Sequence, residues 1–445
     1  MPSRRGSRSR SAATELLQRI EERKARLGVI GLGYVGLPLA VELGQAGFRV
    51  TGFDIDERRV SELAKGRSYI QDVPSSLVKD LVRSGNFEPT TDFSALQHLD
   101  AVNVCVPTPL SKQRDPDVSY IVSAAQQVAK HLHRGMLIIL ESTTYPGTTE
   151  ELILPMLQAT GMKVGQDFFL AFSPERVDPG NPKFQTRNIP KVVGGITPTC
   201  TEVAVKLYEQ RLDRVVAVSS TQVAEMVKLL ENTFRSVNIG LVNELALMCT
   251  RMKIDVWEVI EAAGTKPFGF MPFYPGPGLG GHCLPSDPHY LSWKVRLEGY
   301  EPRFITFADE INRRMPEYVV QMVADALNDR TRALRGARVL VLGVAYKAGV
   351  ADVRDSPALE IIEGLLAKGA VVEYHDPFVP SVTVGTHVHQ AVDWASAALA
   401  SRDVVMILTD HATYDWAAIV RESPLVIDTR NATGNLPPAR HVIRL

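Results

Sequence analysis

The segment of residues 276–290, GPGLGGHCLPSDPHY, surrounds one cysteine, Cys283, with glycine and proline, and Asp287 follows four residues later. Such a stretch cannot form the middle of a helix or of a central strand, so it predicts a loop. A thiolate is a strong nucleophile, and neighbours without side chains would let a substrate reach it. The alternative is a tight turn that happens to contain a cysteine.

A long helical pattern elsewhere in the chain carries polar residues that such a nucleophile would need. Apolar positions recur at helical spacing within residues 221–252, which predicts a long and mostly buried helix. Lys228, Asn232 and Arg235 fall on one face of it, and a polar stripe on an apolar helix requires a charged or aqueous partner. A solvated outer face, with the glutamates of the same segment as its charge partners, is the alternative.

A glycine pattern near the N-terminus predicts a dinucleotide site. Gly31, Gly33 and Gly36 follow an apolar strand segment and open a helical one, and Asp54 ends the next apolar run. The first glycine permits a tight turn, the second lets the backbone approach a pyrophosphate and the third allows close helix–strand packing. A carboxylate at Asp54 would accept hydrogen bonds from a ribose and repel a 2′-phosphate. This favours NAD over NADP, although the nearby Arg59 makes it a preference only.

NAD and a thiol together suggest a reaction. A hydride acceptor and a cysteine can carry an aldehyde to an acid through thiohemiacetal and thioester stages. Lys228 and Asn232 would stabilise the oxyanion formed at each stage, and the lysine would favour the thiolate. Asp287 would orient the lysine or activate the hydrolytic water.

Strand and helix patterns alternate in the first half of the chain and again near the C-terminus, on either side of long helical segments. This predicts an α/β fold with two Rossmann-like parallel-sheet domains joined by a central long-helix segment. We expect a flexible basic tail over residues 1–24 that leads into a short exposed helix, an NAD-binding domain over 25–218, a central helical segment over 219–318 and a C-terminal domain over 319–445. Pro316 is expected to start a new helix or to kink the old one.

Polar residues follow several predicted strands of the first domain, where ligands of open α/β sheets bind. Thr108, Thr143 and Glu175 each stand at such a strand end. Each alone is more often a turn or cap residue, but three of them at successive strand ends favour a site.

Composition argues against several function classes. The chain of 445 residues has 49 Lys and Arg against 50 Asp and Glu, a balance that gives no global attraction to nucleic acid or to an anionic membrane. No apolar run has the roughly 20 residues of a membrane span. Four cysteines without metal-ligand spacing predict free thiols, a cytoplasmic protein and no bound metal.

Longer motifs occur in an order that resembles a known family. They are GLGYVGLPLA, VPTP, ESTTYPGTT, SPERVDPGN, KLLENTFRSVNIGLVNELA, TKPFGF, PGPGLGGHCLPSDP, GVAYKAGVADVRDSP and IDTRN. From about residue 27 to the C-terminus, the chain resembles the UDP-glucose/GDP-mannose dehydrogenase family. The resemblance implies an N-terminal NAD domain, central helices that form a homodimer and a C-terminal domain that holds UDP. It also implies oxidation of the C6 hydroxymethyl group of a nucleotide sugar to a carboxylate with two NAD.

The resemblance assigns roles to individual residues, with Cys283 as the nucleophile. The other catalytic positions that it implies are Lys228, Asn232, Asp287, Thr143 and Glu175. With the glycine pattern, the expected NAD contacts are Gly31, Gly33, Tyr34, Val35, Gly36, Asp54, Arg59, Thr108 and Thr143. The implied nucleotide-sugar contacts are Arg176, Val177, Lys228, Asn232, Arg235, Gly280, Tyr346, Lys347, Arg354 and Arg430. Lysine and arginine are the residues that two phosphates require.

The identity of the sugar depends on finer features. SPERVDPGN together with TKPFGF resembles the branch of the family that acts on UDP-N-acetylglucosamine. The UDP-glucose enzymes usually carry a second glutamate where this chain has Pro179, which argues against UDP-glucose. UDP-N-acetylmannosamine is a close rival. A two-electron sugar dehydrogenase or epimerase with a structural Cys283, and a non-catalytic nucleotide-binding protein, are the remaining alternatives.

Overall fold

The computed structural model of the chain describes residues 11–70, 72–111, 114–178, 180–181 and 183–445. The backbone packs into two units, Met1–Glu231 and Asn232–Leu445, and each is described by itself. Among the described residues, no helix is both long enough and apolar enough to cross a membrane.

The first unit is built on a sheet of eight strands. They are β1 Arg26–Ile30, β2 Arg49–Phe53, β3 Phe87–Thr90, β4 Ala101–Val104, β5 Leu137–Leu140, β6 Phe169–Phe172, β7 Lys191–Gly195 and β8 Val215–Ala217. Their order is β3-β2-β1-β4-β5-β6-β7-β8, and every neighbouring pair is parallel except β6 and β7. The winding reverses at β1, and open α/β sheets bind ligands at the carboxyl end of the strands at such a point.

Helices cover both faces of this sheet. They are α1 Ala12–Glu21, α2 Gly36–Gln45, α3 Glu57–Ala64, α4 Ser75–Ser84, α5 Ser119–Lys130, α6 Leu154–Gln158 and α7 Pro198–Tyr208, with a 3₁₀ helix at Phe93–His98 and a π-helical turn at Thr148–Ile153. Leu27 and Val29 of β1 belong to one apolar cluster and Ile30 to the other. Successive strand residues point to opposite faces, so a strand such as β1 contributes to both clusters.

A short helix is expected to follow the basic tail, and α1 is that helix. It is packed and not exposed, which corrects the prediction of a flexible tail over residues 1–24. Leu16 and Ile20 are buried in the same apolar cluster as Leu207 of α7, and Ser11 caps the helix by accepting a hydrogen bond from the backbone N–H of Thr14. The three apolar positions of the helix lie on one stripe, and their burial fixes the segment to the domain. Residues 1–10 of the predicted tail lie outside the described residues.

The longest helix, α8, spans Thr221–Met252, as the apolar spacing predicts. The expectation that it is mostly buried is wrong for this chain. Seven large apolar side chains along it are exposed: Val223, Leu230, Phe234, Leu241, Leu245, Met248 and Met252. They recur every three, four or seven residues, which places them on one face of the helix.

The second unit contains five further helices. They are α9 Val256–Gly264, α10 Asp287–Leu297, α11 Arg303–Asn328, α12 Pro357–Ala367 and α13 Trp416–Glu422. Pro316 lies inside α11, so the expected new helix does not start there. Pro316 is buried, and Asn312, one turn earlier, donates to the carbonyl of Ser236 and accepts from Asn243. Packing of this kind outweighs the roughly 3 kcal/mol that an internal proline costs.

A smaller sheet completes the second unit. Its strands are β9 Arg338–Leu342, β10 Val371–His375, β13 Val404–Ile407, β14 Val426–Asp428 and β15 Val442–Arg444, and β11 Ser381–Val384 pairs with β12 His387–Gln390 in a separate hairpin. The sheet order is β10-β9-β13-β14-β15 and all pairs are parallel. Short 3₁₀ helices occupy Trp394–Ser396 and Leu399–Ser401. The predicted α/β fold class is confirmed, whereas the predicted domain boundaries stay predictions.

Candidate active site

The turn between β1 and α2 has the shape that a pyrophosphate requires. Gly31 has φ +91°, and a Cβ there would lie 2.5 Å from the carbonyl oxygen of Cys105. A Cβ at Gly36 would overlap the carbonyl oxygen of Gly31. A Cβ at Gly33, by contrast, would meet nothing within 4 Å. Packing therefore demands the outer two glycines, and the middle one leaves open space through which a phosphate can approach the backbone.

Asp54 connects the end of β2 to this turn. Its carboxylate is buried and accepts hydrogen bonds from the backbone N–H of Leu32 at 3.0 Å and of Asp56 at 3.0 Å. The guanidinium of Arg59 lies 3.5 Å from the same carboxylate and 5.6 Å from the centre of the Tyr69 ring. A carboxylate has about four acceptor positions, so Asp54 retains capacity for a ribose diol.

The other predicted NAD contacts lie around the same edge of the sheet. Tyr34 and Val35 are partly buried in the glycine turn, Thr108 is buried after β4, and Thr143 is partly buried after β5. Within the described residues of α2, no side chain caps the N-terminus and the first turn holds no acidic residue. The free N–H groups and the partial positive charge of the helix end are thus available to phosphates. These residues fit a bound dinucleotide.

A buried charge network lies at the carboxyl end of β5 and β6. The ammonium of Lys191 is 2.6 Å from the carboxylate of Glu141 and 3.3 Å from that of Glu175. The hydroxyl of Tyr208 and the amide of Asn103 each donate to the other oxygen of Glu141 at 2.6 Å. Burial by itself would lower the pKa of Lys191, but the two carboxylates raise it above its usual range. The lysine therefore stays charged.

Glu175 is held as a carboxylate by this network. One of its oxygens accepts from the backbone N–H groups of Arg176 and Val177, both at 2.8 Å, while the other faces Lys191. Burial alone would raise the pKa of Glu175, but Lys191, the N–H of Val177 and the ammonium of Lys228 hold that pKa below its usual range. Such a group accepts a hydrogen bond or a proton and does not donate one near neutral pH.

The sequence interpretation missed Lys191 and Glu141. Both directly adjoin buried strands in the sequence, Lys191 at the start of KVVGG and Glu141 after LIIL. A charged residue next to an apolar strand is almost never fully buried without a partner, so the two positions carried a usable signal.

Two of the glutamates of α8, Glu225 and Glu231, are not ordinary surface partners, contrary to the alternative considered from the sequence. Glu225 is buried, and its carboxylate accepts from the N–H of Gly147 at 2.6 Å and from both the N–H and the hydroxyl of Thr149, at 2.9 and 2.7 Å. Burial raises its pKa to about 7 although these hydrogen bonds oppose the shift. Glu225 therefore fixes the segment that follows Thr143 to the first turn of α8.

The second glutamate, Glu231, holds Arg176, which is one of the predicted nucleotide-sugar contacts, in place. The guanidinium of Arg176 donates to Glu231 at 2.6 and 3.2 Å and to the carbonyl of Pro190 at 2.6 Å. Val177 is partly buried beside it. Pro179, where the chain departs from the UDP-glucose pattern, lies outside the described residues.

Cys283 lies in a turn that leads directly into α10. The thiol residue is partly buried, and its carbonyl accepts a hydrogen bond from the N–H of Asp287, the first residue of the helix, at 2.8 Å. The Asp287 side chain is buried and accepts from the amide of Asn232 at 2.6 Å. Cys283, Asp287 and Asn232 are therefore connected in one part of the second unit, and Lys228 precedes Asn232 by one turn of α8.

The glycines before Cys283 make room for protein, which corrects the expectation that their missing side chains leave space for a substrate. A Cβ at Gly280 would lie 2.7 Å from the Cβ of Tyr346, and one at Gly281 would lie 2.9 Å from the Tyr346 ring. The N–H of Gly281 donates to the carbonyl of Arg354 at 2.9 Å. The cysteine loop thus packs against the loop that carries Tyr346.

The remaining predicted nucleotide-sugar contacts differ in their surroundings. Arg354 is exposed and donates to both carboxylate oxygens of Asp352, whereas Lys347 is partly buried. Arg430 donates to the carbonyl of Leu408 at 2.9 Å, and burial lowers the pKa of its guanidinium. Arg235 is exposed on α8.

The glycine turn, the strand-end carboxylate and the second parallel sheet define a dinucleotide-binding protein of the Rossmann class. Models of three domains match the chain: an NAD binding domain over residues 25–212, a central domain over 222–314 and a UDP binding domain over 340–435. The chain belongs to the UDP-glucose/GDP-mannose dehydrogenase family, which confirms the resemblance seen in its motifs. It is accordingly an NAD-dependent oxidoreductase with a domain for a UDP-sugar substrate.

Individual relatives span most of the chain. It is 38% identical to a UDP-N-acetyl-D-glucosamine 6-dehydrogenase of Pseudomonas aeruginosa over 84% of its own length and 90% of the relative's. It is 35% identical to a UDP-N-acetyl-D-mannosamine dehydrogenase of Pyrococcus horikoshii, over 94% and 98% of the two lengths. A solved structure of a UDP-D-ManNAc dehydrogenase from Pyrococcus horikoshii matches with a TM-score of 0.85 at 34% identity, covering 94% of this chain and 98% of that one.

Replacing Lys191 tests the buried network. Lys191→Met should destabilise the protein by about 3–5 kcal/mol because it leaves two buried carboxylates without a counter-charge, and Lys191→Arg should restore much of the loss. Urea unfolding of the three proteins measures the difference. As a control, Lys206→Met removes an exposed lysine 3.2 Å from Glu21 and should cost at most about 1 kcal/mol. Equal stability of the two methionine variants would contradict the network.

The raised pKa of Glu225 leads us to expect a distinct pH dependence of the free energy of unfolding. Its pKa in the folded state, about 7, lies above the ordinary 4.5, so the folded protein binds this proton more tightly than the unfolded chain. The resulting stabilisation is present below pH 4.5 and is lost as the pH rises through about 7. Between these pH values, the melting temperature should fall less steeply with rising pH in Glu225→Gln than in the wild type.

The control for this experiment is Glu202→Gln, which changes an exposed glutamate of α7. It should keep the wild-type slope of melting temperature against pH. An unchanged slope in Glu225→Gln as well would show that Glu225 does not take up the proton.

Proposed function

We propose that the protein carries out the NAD-dependent four-electron oxidation of the C6 hydroxymethyl group of a UDP-N-acetylhexosamine, first of all UDP-GlcNAc, to the uronic acid. The observation that carries the proposal is the connection of Cys283 through Asp287 to Asn232, because it joins a nucleophile to a carboxylate and an amide donor. Family membership and the relative named UDP-N-acetyl-D-glucosamine 6-dehydrogenase support it.

NAD would be held at the carboxyl edge of the first sheet. The backbone of Gly31, Gly33 and Gly36 would face the pyrophosphate, and Asp54 would accept from the ribose, with Arg59 beside it. Tyr34, Val35, Thr108 and Thr143 complete the set of contacts. When bound, NAD supplies the hydride acceptor for each of the two oxidations.

Cys283 would perform the covalent part of the reaction. Its thiolate adds to the C6 aldehyde, forming a carbon–sulfur bond and a thiohemiacetal oxyanion. Loss of hydride from this carbon gives a thioester, and water then breaks the carbon–sulfur bond and returns the thiol. The aldehyde itself would arise by loss of one hydride and one proton from the C6 alcohol. Overall one alcohol and one water give one carboxylate, two hydrides that carry the four electrons, and three protons.

Charged and polar neighbours would assist these steps. The ammonium of Lys228 and the amide of Asn232 stabilise the oxyanion, each donating a hydrogen bond to it. Asp287 orients Asn232, as their 2.6 Å hydrogen bond allows, and accepts a proton from the hydrolytic water. Glu175, held as a carboxylate, and Thr143 provide further acceptors around the reacting carbon.

The UDP end of the substrate would meet the second unit. Lys347, Arg354 and Arg430 offer positive charge to the two phosphates, and Tyr346 offers a ring and a hydroxyl. Gly280, beside Tyr346, would contribute backbone. Arg176, Val177 and Arg235 would complete the sugar and phosphate contacts.

The sugar itself is the least constrained part of the proposal. UDP-GlcNAc is preferred, UDP-ManNAc differs from it only at C2, and UDP-glucose is the third candidate. NADH yield from UDP-GlcNAc, UDP-ManNAc, UDP-glucose and UDP-galactose at equal concentration separates them. Tight NAD binding without turnover of any of these sugars would instead favour a non-catalytic nucleotide-binding protein.

The stoichiometry tests the role of Cys283. The wild type should produce two NADH per UDP-sugar, and Cys283→Ser should abolish acid formation because serine cannot supply a thioester. NADH absorbance together with mass spectrometry of the sugar product measures both. Cys249→Ser, which changes a buried thiol of the helical core, should keep the stoichiometry. One NADH per sugar with release of an aldehyde or ketone, or a fully active Cys283→Ser, would refute the four-electron reaction.

We also propose that the protein is a homodimer, as expected from the resemblance, and that the exposed apolar face of α8 forms its interface. The face carries seven large side chains at heptad-like spacing, so the same helix of a second copy is complementary to it. A cytoplasmic location, predicted from the cysteine pattern, is part of the same proposal.

A charge on this face should prevent the association. Leu241→Glu should convert the dimer to a monomer in sedimentation velocity, because a buried carboxylate without a partner is costly. Val388→Glu, which places the same charge at an exposed apolar position on the β11–β12 hairpin, should leave the dimer intact. A wild type that sediments as a monomer, or a dimeric Leu241→Glu, would exclude this interface.

A further inference from the structure

A fully buried histidine–aspartate pair lies in the C-terminal sheet, outside every role described above. Asp376 directly follows β10 and His411 follows β13. The Nε2 atom of His411 is 3.0 Å from a carboxylate oxygen of Asp376, and neither side chain is exposed to solvent. Buried polar groups of this kind need a full set of hydrogen-bond partners.

Asp376 has such a set. One oxygen accepts from the N–H groups of Val344 and Ala345, at 2.8 and 3.1 Å, and the other accepts from those of Phe378 and Val379, at 2.9 and 3.2 Å. Burial alone would raise the pKa of Asp376, but His411 and these N–H groups hold it below its usual range. The carboxylate therefore anchors the beginning of the loop that follows β9.

His411 anchors the same loop further along. Its Nδ1 atom accepts from the N–H of Gly349 at 3.1 Å, so the ring proton is on Nε2 and is donated to Asp376. Next to it, the hydroxyl of Thr409 donates to the carbonyl of Ala345 at 2.6 Å. The imidazole thus joins Asp376, at the base of the loop, to Gly349, at its exposed turn.

The anchored loop is the one that carries the expected nucleotide contacts. Tyr346 and Lys347 lie between the two anchor points, Ala345 and Gly349. The N–H of Tyr346 donates to the carbonyl of Asp352 at 3.0 Å, which closes the loop on itself. The His411 contact crosses from the neighbouring strand to the turn of the loop.

We propose that His411 is a positioning residue for the UDP-sugar, acting through its hydrogen bond to Gly349. The inference rests on the proposed function, in which Tyr346 and Lys347 meet UDP. Because the hydrogen bond holds Gly349, the loop is ordered before the nucleotide binds. The free energy of binding is then not reduced by the entropic cost of ordering the loop. Without that bond, affinity for UDP falls while the chemistry at Cys283 proceeds at its normal rate.

Two substitutions separate the contacts of His411. His411→Asn places an acceptor oxygen near the position of Nδ1 and keeps the bond to Gly349. His411→Gln places a donor near the position of Nε2 and keeps the bond to Asp376, but loses Gly349. We expect His411→Gln to raise the KM for UDP-GlcNAc and the Kd for UDP roughly three- to tenfold, as the loss of one hydrogen bond predicts. His411→Asn should stay within about twofold of the wild type, and kcat and the KM for NAD should not change in either variant.

The outcomes decide between a positioning and a merely structural histidine. Wild-type UDP affinity in His411→Gln, or equal losses of UDP affinity in both variants, would overturn the proposal. Hydrogen exchange of the wild type needs no variant: the Gly349 amide should be protected without UDP, and free exchange there would also overturn the inference. If the wild type binds UDP but oxidises no UDP-sugar, the proposed function fails, and the UDP affinities and amide exchange still test His411.

Discussion

The direction of strand β7 determines where the charges of the first unit meet. A strand parallel to β6 would begin at the opposite edge of the sheet, but β7 runs antiparallel, so its first residue, Lys191, lies at the carboxyl edge. There its ammonium faces Glu141, after β5, and Glu175, after β6. The buried lysine helps to hold the pKa of Glu175 below its usual range, so this group stays a carboxylate at the strand edge. The polarity of the candidate site follows from that.

A strand-end carboxylate organises each of the two parallel sheets in the same way. Asp54 follows β2 and accepts from the turn after β1, and Asp376 follows β10 and accepts from the loop after β9. The difference lies in the remaining partners. Asp54 keeps acceptor capacity at the sheet edge, whereas Asp376 receives four N–H groups and the imidazole of His411. In the second sheet the carboxylate therefore holds the protein's own loop, which agrees with the proposal that this loop contacts UDP.

The sequence predicted features that depend on local spacing and missed those that depend on distant partners. The bounds of α8 and the glycine turn follow from periodicity and from backbone geometry, which neighbouring residues determine. The burial of α1 depends on α7, and the continuity of α11 through Pro316 depends on packing around Asn312. Glu225 shows the same limit. Its residue type and its place on a helix could be predicted from the sequence, but its hydrogen-bond partners lie more than seventy residues away. Cys283 was identifiable because its unusual neighbours are adjacent in sequence.

The glycines of the cysteine loop show how the two halves of the second unit depend on each other. Side chains at Gly280 and Gly281 would collide with Tyr346, so the absence of side chains lets the cysteine loop and the Tyr346 loop touch. The backbone bond from Gly281 to Arg354 fixes their register. Because Tyr346 also lies in the loop that His411 and Asp376 anchor, the proposed nucleophile and the expected UDP contacts share one continuous support. A residue that orders this loop, such as His411, therefore acts on the binding of the nucleotide and leaves the thiol itself unchanged.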